Sequence, residues 1–89
     1  MRALHLILKH KWYDMIASGE KTEDYRKMEP YYNIRLFKYF YFNVVFHKGY
    51  TNKTMTFKIK DIITDFGKPE WGAEPNELYH VIKLGERIK

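Results

Sequence analysis

The sequence predicts a small α+β fold with about five strands and one or two short helices. Apolar and polar residues alternate along several short segments, as in half-buried strands, and helical spacing is confined to two short stretches. These elements follow one another in a mixed order rather than as repeating βα units, and 89 residues are too few for a doubly wound sheet. We therefore expect one domain over residues 1–89, shaped as a small closed or half-open β-barrel.

The first part of the chain is predicted to form a strand, a helix and a second strand. Leucines at every second position predict a strand over residues 2–8. Apolar residues at helical spacing predict a helix over residues 10–18, with Gly19 as its C-terminal cap. Residues 21–27 return to period two, and Pro30 ends that strand because proline cannot donate to a ladder.

The remaining elements are predicted from the same periodicities and from clusters of turn residues. In chain order they are a short helix over 31–38, a buried strand over 40–46, a turn over 47–53, a strand over 54–63 that completes a hairpin, a last strand over 78–84 and a charged tail over 85–89. Residues 65–77 contain two glycines, two prolines and an asparagine. We expect them to form a long ordered loop, a feature that is often functional in compact domains.

Composition narrows the classes of partner. Sixteen Lys and Arg side chains against eleven Asp and Glu give a formal charge of +5, which favours anionic partners such as RNA, DNA or nucleotides. The absence of cysteine excludes disulfides and thiol chemistry and fits a reducing compartment. No secretory segment is visible, and no apolar run reaches the ~18 residues of a membrane span. We therefore expect a cytoplasmic protein without membrane contact.

The best candidate site is the polar stretch that begins at Lys21. Period two places Thr22, Asp24 and Arg26 on one face of the predicted strand. An amine, a hydroxyl and a carboxylate can exchange protons, and Arg26 can either pair with Asp24 or hold an anion. A desolvated Lys21 would lose affinity for its proton, whereas a lysine facing Asp24 would keep it. The alternative is a solvated strand whose charges pair with one another.

Two further features can contribute to ligand binding. Trp71 lies in the long loop, where an indole either covers the end of the barrel or stacks on a base. Arg35 belongs to a set of basic residues interleaved with aromatics, which suits a phosphate-binding surface and equally a solvated sheet face. The set comprises Arg35, Lys38, Lys48, Lys53, Lys58 and Lys60. The four histidines lack metal-ligand spacing, so we expect no metal and no cofactor.

Residues 19–26, Gly-Glu-Lys-Thr-Glu-Asp-Tyr-Arg, resemble the signature G-x-K-x-x-E-x-R of the ASCH family of PUA-like domains, with Asp24 in the place of the glutamate. Residues 6–22 are similar to the strand, helix and entry to the motif of that family, and residues 71–86 resemble the end of a small bacterial and phage-borne branch of it. The resemblance implies a PUA-like β-barrel with a short helix after its first strand and a cleft beside the signature. It also implies an association with RNA.

Some members of the family resemble amidohydrolases that deacetylate N4-acetylcytidine with a lysine, a threonine and a later glutamate. Carried over by position, Lys21 matches the lysine, Asp24 stands in the place of the threonine, and Glu74 is the expected glutamate, with Glu70 and Glu77 as alternatives. Because Asp24 lacks the hydroxyl, we expect a module that binds RNA or a modified nucleoside, with hydrolysis of an acylated base as the alternative. The expected ligand contacts are Thr22, Arg26, Arg35 and Trp71.

Overall fold

The computed structural model describes residues 2–89, which form a five-stranded sheet, two α-helices and a 3₁₀ turn. In chain order the elements are β1 (Leu4–Leu8), α1 (His10–Ala17), β2 (Glu23–Lys27), α2 (Pro30–Arg35), β3 (Asn43–Lys48), β4 (Thr54–Phe66), the 3₁₀ turn (Pro69–Trp71) and β5 (Leu78–Arg87). The prediction of an α+β fold with about five strands and one or two short helices is confirmed, with two helices present among the described residues. None of the helices in residues 2–89 has the length and apolarity needed to cross a lipid bilayer.

The sheet is curled into a half-barrel with β1 and β2 at its two edges. The strand order is β1-β3-β4-β5-β2, in which β1 runs parallel to β3 and every other neighbouring pair is antiparallel. The register of β4 against β5 shifts twice, between Phe57 and Ile59 and between Ile59 and Asp61. Such irregularities bend a strand and increase its twist, so they account for the curl.

The main core is a cluster of buried side chains from β1, β3, β4, β5 and the helices. The alternating pattern of β1 buries Leu4, Leu6 and Leu8, as period two requires. They belong to one cluster with Ile16 of α1 and Phe46 of β3, both almost fully buried. Burial of one such side chain contributes roughly 1.5–3 kcal/mol, so this contact fixes α1 against the start of the sheet.

The predicted ends of the last two strands are wrong. β4 continues to Phe66 rather than ending at residue 63, and β5 continues to Arg87, where a charged tail was expected. The cause is pairing along the full length of β4, since Phe57 lies opposite Arg87 and the Ile88 N–H donates to the Thr56 carbonyl at 2.7 Å. The charged residues of this segment led to the prediction of a tail rather than a strand.

The predicted boundaries of the strand over 40–46 and of the turn over 47–53 are also wrong. Residues 40–42 precede β3, which begins at Asn43 and runs to Lys48, inside the predicted turn. Phe40 is 77% exposed and therefore does not belong to a buried strand. Elsewhere the shifts are small: β2 begins at Glu23 rather than residue 21, and α2 covers Pro30–Arg35 rather than residues 31–38.

Two arginine side chains contact the backbone of the edge strand β1. Arg26 Nη2 donates to the carbonyl of Ile7 at 3.2 Å, and Arg35 Nη2 donates to the carbonyl of His5 at 2.5 Å. An edge strand leaves alternate carbonyls without a ladder partner, and the guanidinium groups take that place. Because Arg26 belongs to β2, its hydrogen bond joins the two edges of the sheet.

Candidate functional site

A cleft of about 390 Å³ lies between β2, α1 and the loop of residues 67–77. Lys21 and Asp24 are its most deeply buried charged side chains, with 2% and 3% of their surface exposed. Trp12, Tyr25 and Trp71 provide aromatic surface around them. We call this space the Lys21 cleft.

Lys21 is held among aromatic rings rather than in solvent. Its Nζ lies 4.7 Å from the centroid of the Tyr25 ring, 5.8 Å from that of Trp12 and 6.0 Å from that of Trp71. The amine also donates a hydrogen bond to the carbonyl of Glu23. Burial lowers the pKa of Lys21 from its ordinary value, and the charge of Asp24 opposes that change. The amine is thus fixed in position and loses its proton more readily than a surface lysine.

Asp24 and Arg26 form a buried ion pair on β2. Arg26 Nε donates to Asp24 Oδ2 at 2.7 Å, and Nη2 lies 3.4 Å from Oδ1, so both carboxylate oxygens are engaged. Arg26 Nη1 also donates to the hydroxyl of Tyr32 at 3.2 Å. Burial by itself would lower the pKa of Arg26, but the charge of Asp24 and the hydrogen bonds to Asp24 and Tyr32 together outweigh burial, so the pKa is raised. Of the two roles that the sequence left open for Arg26, the structure shows the pairing with Asp24.

Two tyrosine hydroxyls anchor the loop over the cleft. The Tyr25 hydroxyl accepts a hydrogen bond from the Lys68 N–H at 3.0 Å and donates to Glu23 Oε1 at 2.9 Å. The Tyr79 hydroxyl accepts from the Glu74 N–H at 2.8 Å. Backbone donors on both sides of the 3₁₀ turn are thereby satisfied, which contributes to the order of the loop.

Gly72 brings the loop into direct contact with α1. Its φ of +101° lies in the left-handed region, and a Cβ at this position would be 2.8 Å from Cζ2 of Trp12. Only glycine satisfies both conditions without displacement. The close approach places Trp71, the next residue along, in the same cleft as Trp12, so both tryptophans of the chain line it.

The Lys21 cleft contains five of the predicted site residues, namely Lys21, Asp24, Arg26, Trp71 and Glu74. Glu74 is exposed at the rim, and neither Glu70 nor Glu77 lines the cleft. Thr22 is exposed and does not line the cleft. It precedes β2, and its carbonyl accepts a hydrogen bond from the Leu84 N–H. Arg35 lies in a different cleft.

Trp12, Tyr25 and Tyr79 were not predicted as site residues. Trp12 lies on α1, where it packs on the core while also lining the cleft. Period two places Tyr25 on the face of β2 opposite Asp24. Because β2 is an edge strand, the loop can pass beside it, and the Lys68 N–H donates to the Tyr25 hydroxyl. No local signal identifies Tyr79, whose partner Glu74 belongs to the irregular loop.

Cationic side chains outnumber carboxylates around the cleft. Lys9, Lys21, Arg26 and Lys27 line it, against Asp24 and Glu74. Within residues 2–89 there is no group of three or more His, Cys, Asp or Glu side chains placed to hold a metal ion. Comparison of the chain with protein-family models, with curated proteins and with solved structures finds no match.

Proposed function

We propose that the chain is an ASCH-type, PUA-like domain that binds a nucleobase, in RNA or as a modified nucleoside, in the Lys21 cleft. The observation that carries the proposal is the convergence of Trp12, Tyr25 and Trp71 with the Lys21 amine. A base stacked on such a ring gains ~1–3 kcal/mol, and the amine supplies a donor for an acceptor on the base edge. A volume of about 390 Å³ lies within the range of small-ligand clefts.

The family assignment is supported by the signature at residues 19–26 and by the placement of α1 directly after β1 in a curled sheet. Asp24 keeps a carboxylate at the signature position, and its pairing with Arg26 gives the spacing a physical role. A shorter acid in the place of glutamate still reaches the guanidinium two residues along the strand. The resemblance thus agrees with the position of the cleft beside the signature.

A second candidate function is hydrolysis of an acylated base, and the buried amine of Lys21 favours it. An amine whose pKa is lowered by burial gives up its proton more readily, so it can donate one to a leaving nitrogen. Since Arg26 engages both oxygens of Asp24, Glu74 at the rim is the carboxylate placed to activate water. Water would add to the acyl carbon, and the bond to the base nitrogen would break with transfer of a proton to that nitrogen.

Intrinsic fluorescence tests the binding function, because both tryptophans lie in the cleft. Titration with cytidine, N4-acetylcytidine and short single-stranded RNAs should change the emission. Trp71→Ala should weaken binding about tenfold or more, whereas Trp71→Phe, which keeps a stacking surface, should lose less. Phe40→Ala, at a 77% exposed aromatic outside the cleft, is the matched control. Equal affinities for all four proteins would contradict the proposal.

Mass analysis of N4-acetylcytidine incubated with the protein tests the hydrolytic alternative. The expected products are cytidine and acetate. Turnover should be lost in Lys21→Met and in Glu74→Gln but retained in Glu77→Gln, which alters the same loop outside the cleft. If the unaltered protein binds the nucleoside without releasing acetate, the hydrolytic function is excluded and the binding function stands.

A further inference from the structure

A second cleft adjoins the Lys21 cleft on the other side of Arg26. It has a volume of about 480 Å³ and lies between β1, α2 and the turn after β3. Its walls include His5, Tyr31, Arg35, His47 and Tyr50. We call it the Arg35 cleft. Ile7 and Arg26 line both clefts, so the two clefts are neighbours.

The Arg35 cleft is rich in donors and is lined by no carboxylate among the described residues. Arg35 Nη2 donates to the His5 carbonyl, which leaves most of the five donors of the guanidinium for a ligand. His5 Nδ1 and His47 Nε2 lie 2.9 Å apart and share a hydrogen bond at the mouth of the same cleft. A planar, permanently charged fork next to imidazoles is complementary to a phosphate group.

Exposed aromatic side chains flank this basic surface. Tyr50 is 96% exposed on the turn after β3, and Tyr31 is 60% exposed on α2. The Tyr31 ring is braced by an edge-to-face contact with Tyr32, at 4.9 Å between centroids. Aromatic rings beside a cationic groove are the arrangement on which single-stranded nucleic acids stack.

We propose that the Arg35 cleft binds the phosphate of a nucleotide whose base occupies the Lys21 cleft. The ligand of the chain is then a nucleotide or a segment of RNA rather than a free nucleoside. The placement of the base rests on the proposed function, whereas the phosphate site rests on Arg35, His5 and His47 alone. The two parts can therefore fail separately.

The phosphate site is tested first with inorganic phosphate alone. In an NMR titration of the ¹⁵N-labelled protein, the amides of His5, Tyr50 and Thr51 should shift together and saturate. Arg35→Gln should weaken this binding about tenfold, and Arg35→Lys, which keeps the charge but not the fork, should lose less. Arg87→Gln makes the same change at an exposed arginine outside the cleft and should leave the titration unchanged. Shifts that spread evenly over the surface, or equal losses in Arg35→Gln and Arg87→Gln, would overturn the proposal.

A ligand series then separates the sources of phosphate. Cytidine, cytidine 5′-monophosphate and a cytidine trinucleotide are titrated into the protein and followed by tryptophan fluorescence. The monophosphate should bind about tenfold more tightly than cytidine, and the trinucleotide more tightly still, and both gains should disappear in Arg35→Gln. Cytidine binding without any gain from phosphate would overturn the second site and leave the proposed function intact. Phosphate binding with no fluorescence response to any of the three ligands would overturn the base site instead.

Discussion

Arg26 Nη2 donates to the carbonyl of Ile7 at 3.2 Å, and this hydrogen bond spans from β2 at one edge of the sheet to β1 at the other. The same guanidinium binds both oxygens of Asp24. One side chain therefore fixes the carboxylate of the cleft and holds the open side of the half-barrel together. The geometry of the candidate site and the closure of the fold depend on the same group.

Loss of Asp24 should be strongly destabilising. Asp24→Leu leaves the guanidinium of Arg26 buried, with 12% of its side chain exposed and no counter-charge, a situation that costs about 3 kcal/mol. The double variant Asp24→Leu/Arg26→Met should recover part of that loss, because neither charge is then buried alone. Urea unfolding measures both values. Glu86→Leu, which breaks an exposed ion pair with Lys58, should leave the unfolding midpoint nearly unchanged. A single variant no less stable than the double variant would show that the pair is not needed to hold Arg26.

Replacement of Lys21 by Met should stabilise the fold while it removes function. An ammonium at 2% exposure is desolvated, and an apolar side chain of similar length avoids that cost, so we expect a gain of about 1 kcal/mol near neutral pH. Opposed effects on stability and on ligand binding are typical of a functional residue. A destabilised Lys21→Met variant would instead indicate a structural role for the amine.

The difference in unfolding free energy between the unaltered protein and Lys21→Met should depend on pH. Because the pKa of Lys21 is lowered by burial, the folded protein releases this proton below 10.5, where the unfolded chain still holds it. The charged amine destabilises the fold fully at pH values below the pKa that Lys21 has in the folded protein. This destabilisation is lost as the pH rises from that pKa towards 10.5, the ordinary pKa of lysine. The advantage of Lys21→Met should therefore shrink with rising pH in parallel urea titrations. Tyr25, whose pKa is raised by burial, is present in both proteins and cancels in the comparison.

His80 should make the fold sensitive to acid. Its Nε2 lies 2.7 Å from Oδ1 of Asn33 on α2, while Nδ1 is buried without a hydrogen-bond partner among the described residues. Burial lowers the pKa of His80 in the folded protein. As the pH falls below 6.5, the unfolded chain therefore takes up a proton before the folded protein does, and the free energy of unfolding decreases. His80→Gln stays neutral and can still donate to Asn33. Between about pH 7.5 and about pH 5.5, its melting temperature should fall less than that of the unaltered protein; identical slopes would contradict this prediction.

Gly72→Ala should disturb the cleft more than its backbone strain alone explains. A Cβ at this position would press on the Trp12 ring, so the loop and Trp71 should move away and tryptophan emission should change. Gly19→Ala is the matched control, since Gly19 also has a positive φ, of +87°, but a Cβ added there would meet nothing within 4 Å. Both variants should lose about 1 kcal/mol of stability from strain. Only Gly72→Ala should weaken ligand binding, and equal binding by the two variants would show that the loop does not shape the site.

Local spacing predicted the parts of the site that depend on local geometry. Asp24 and Arg26 share one face because they are two residues apart on a strand, and no distant contact is needed to bring them together. Lys21 was singled out as an amine close to that pair, and its burial agrees with the desolvated alternative. Thr22 departs from the prediction, since its side chain is exposed and does not line the cleft.

Features that depend on distant partners were not predictable from the sequence. The extent of β5 is determined by its ladder with β4, and the role of the Tyr25 hydroxyl depends on Lys68 in the loop. The location of Arg35 in a second cleft depends on how α2 lies against the edge of β1, which neither charge nor periodicity encodes. These contacts join residues that are distant in the sequence, so local periodicity and composition do not predict them.

The parallel pairing of β1 with β3 has a consequence for the order of folding. Leu4 lies opposite Val44, and on the other edge Glu23 lies opposite Lys83, so both edge strands need partners far away in the chain. The β3–β4 hairpin is the local pairing, and contacts of low sequence separation form earlier. We therefore expect the hairpin to form first and the two edges to dock last. Since the clefts lie at those edges, a refolding chain should acquire most of its strand signal in circular dichroism before it acquires the ability to bind a ligand.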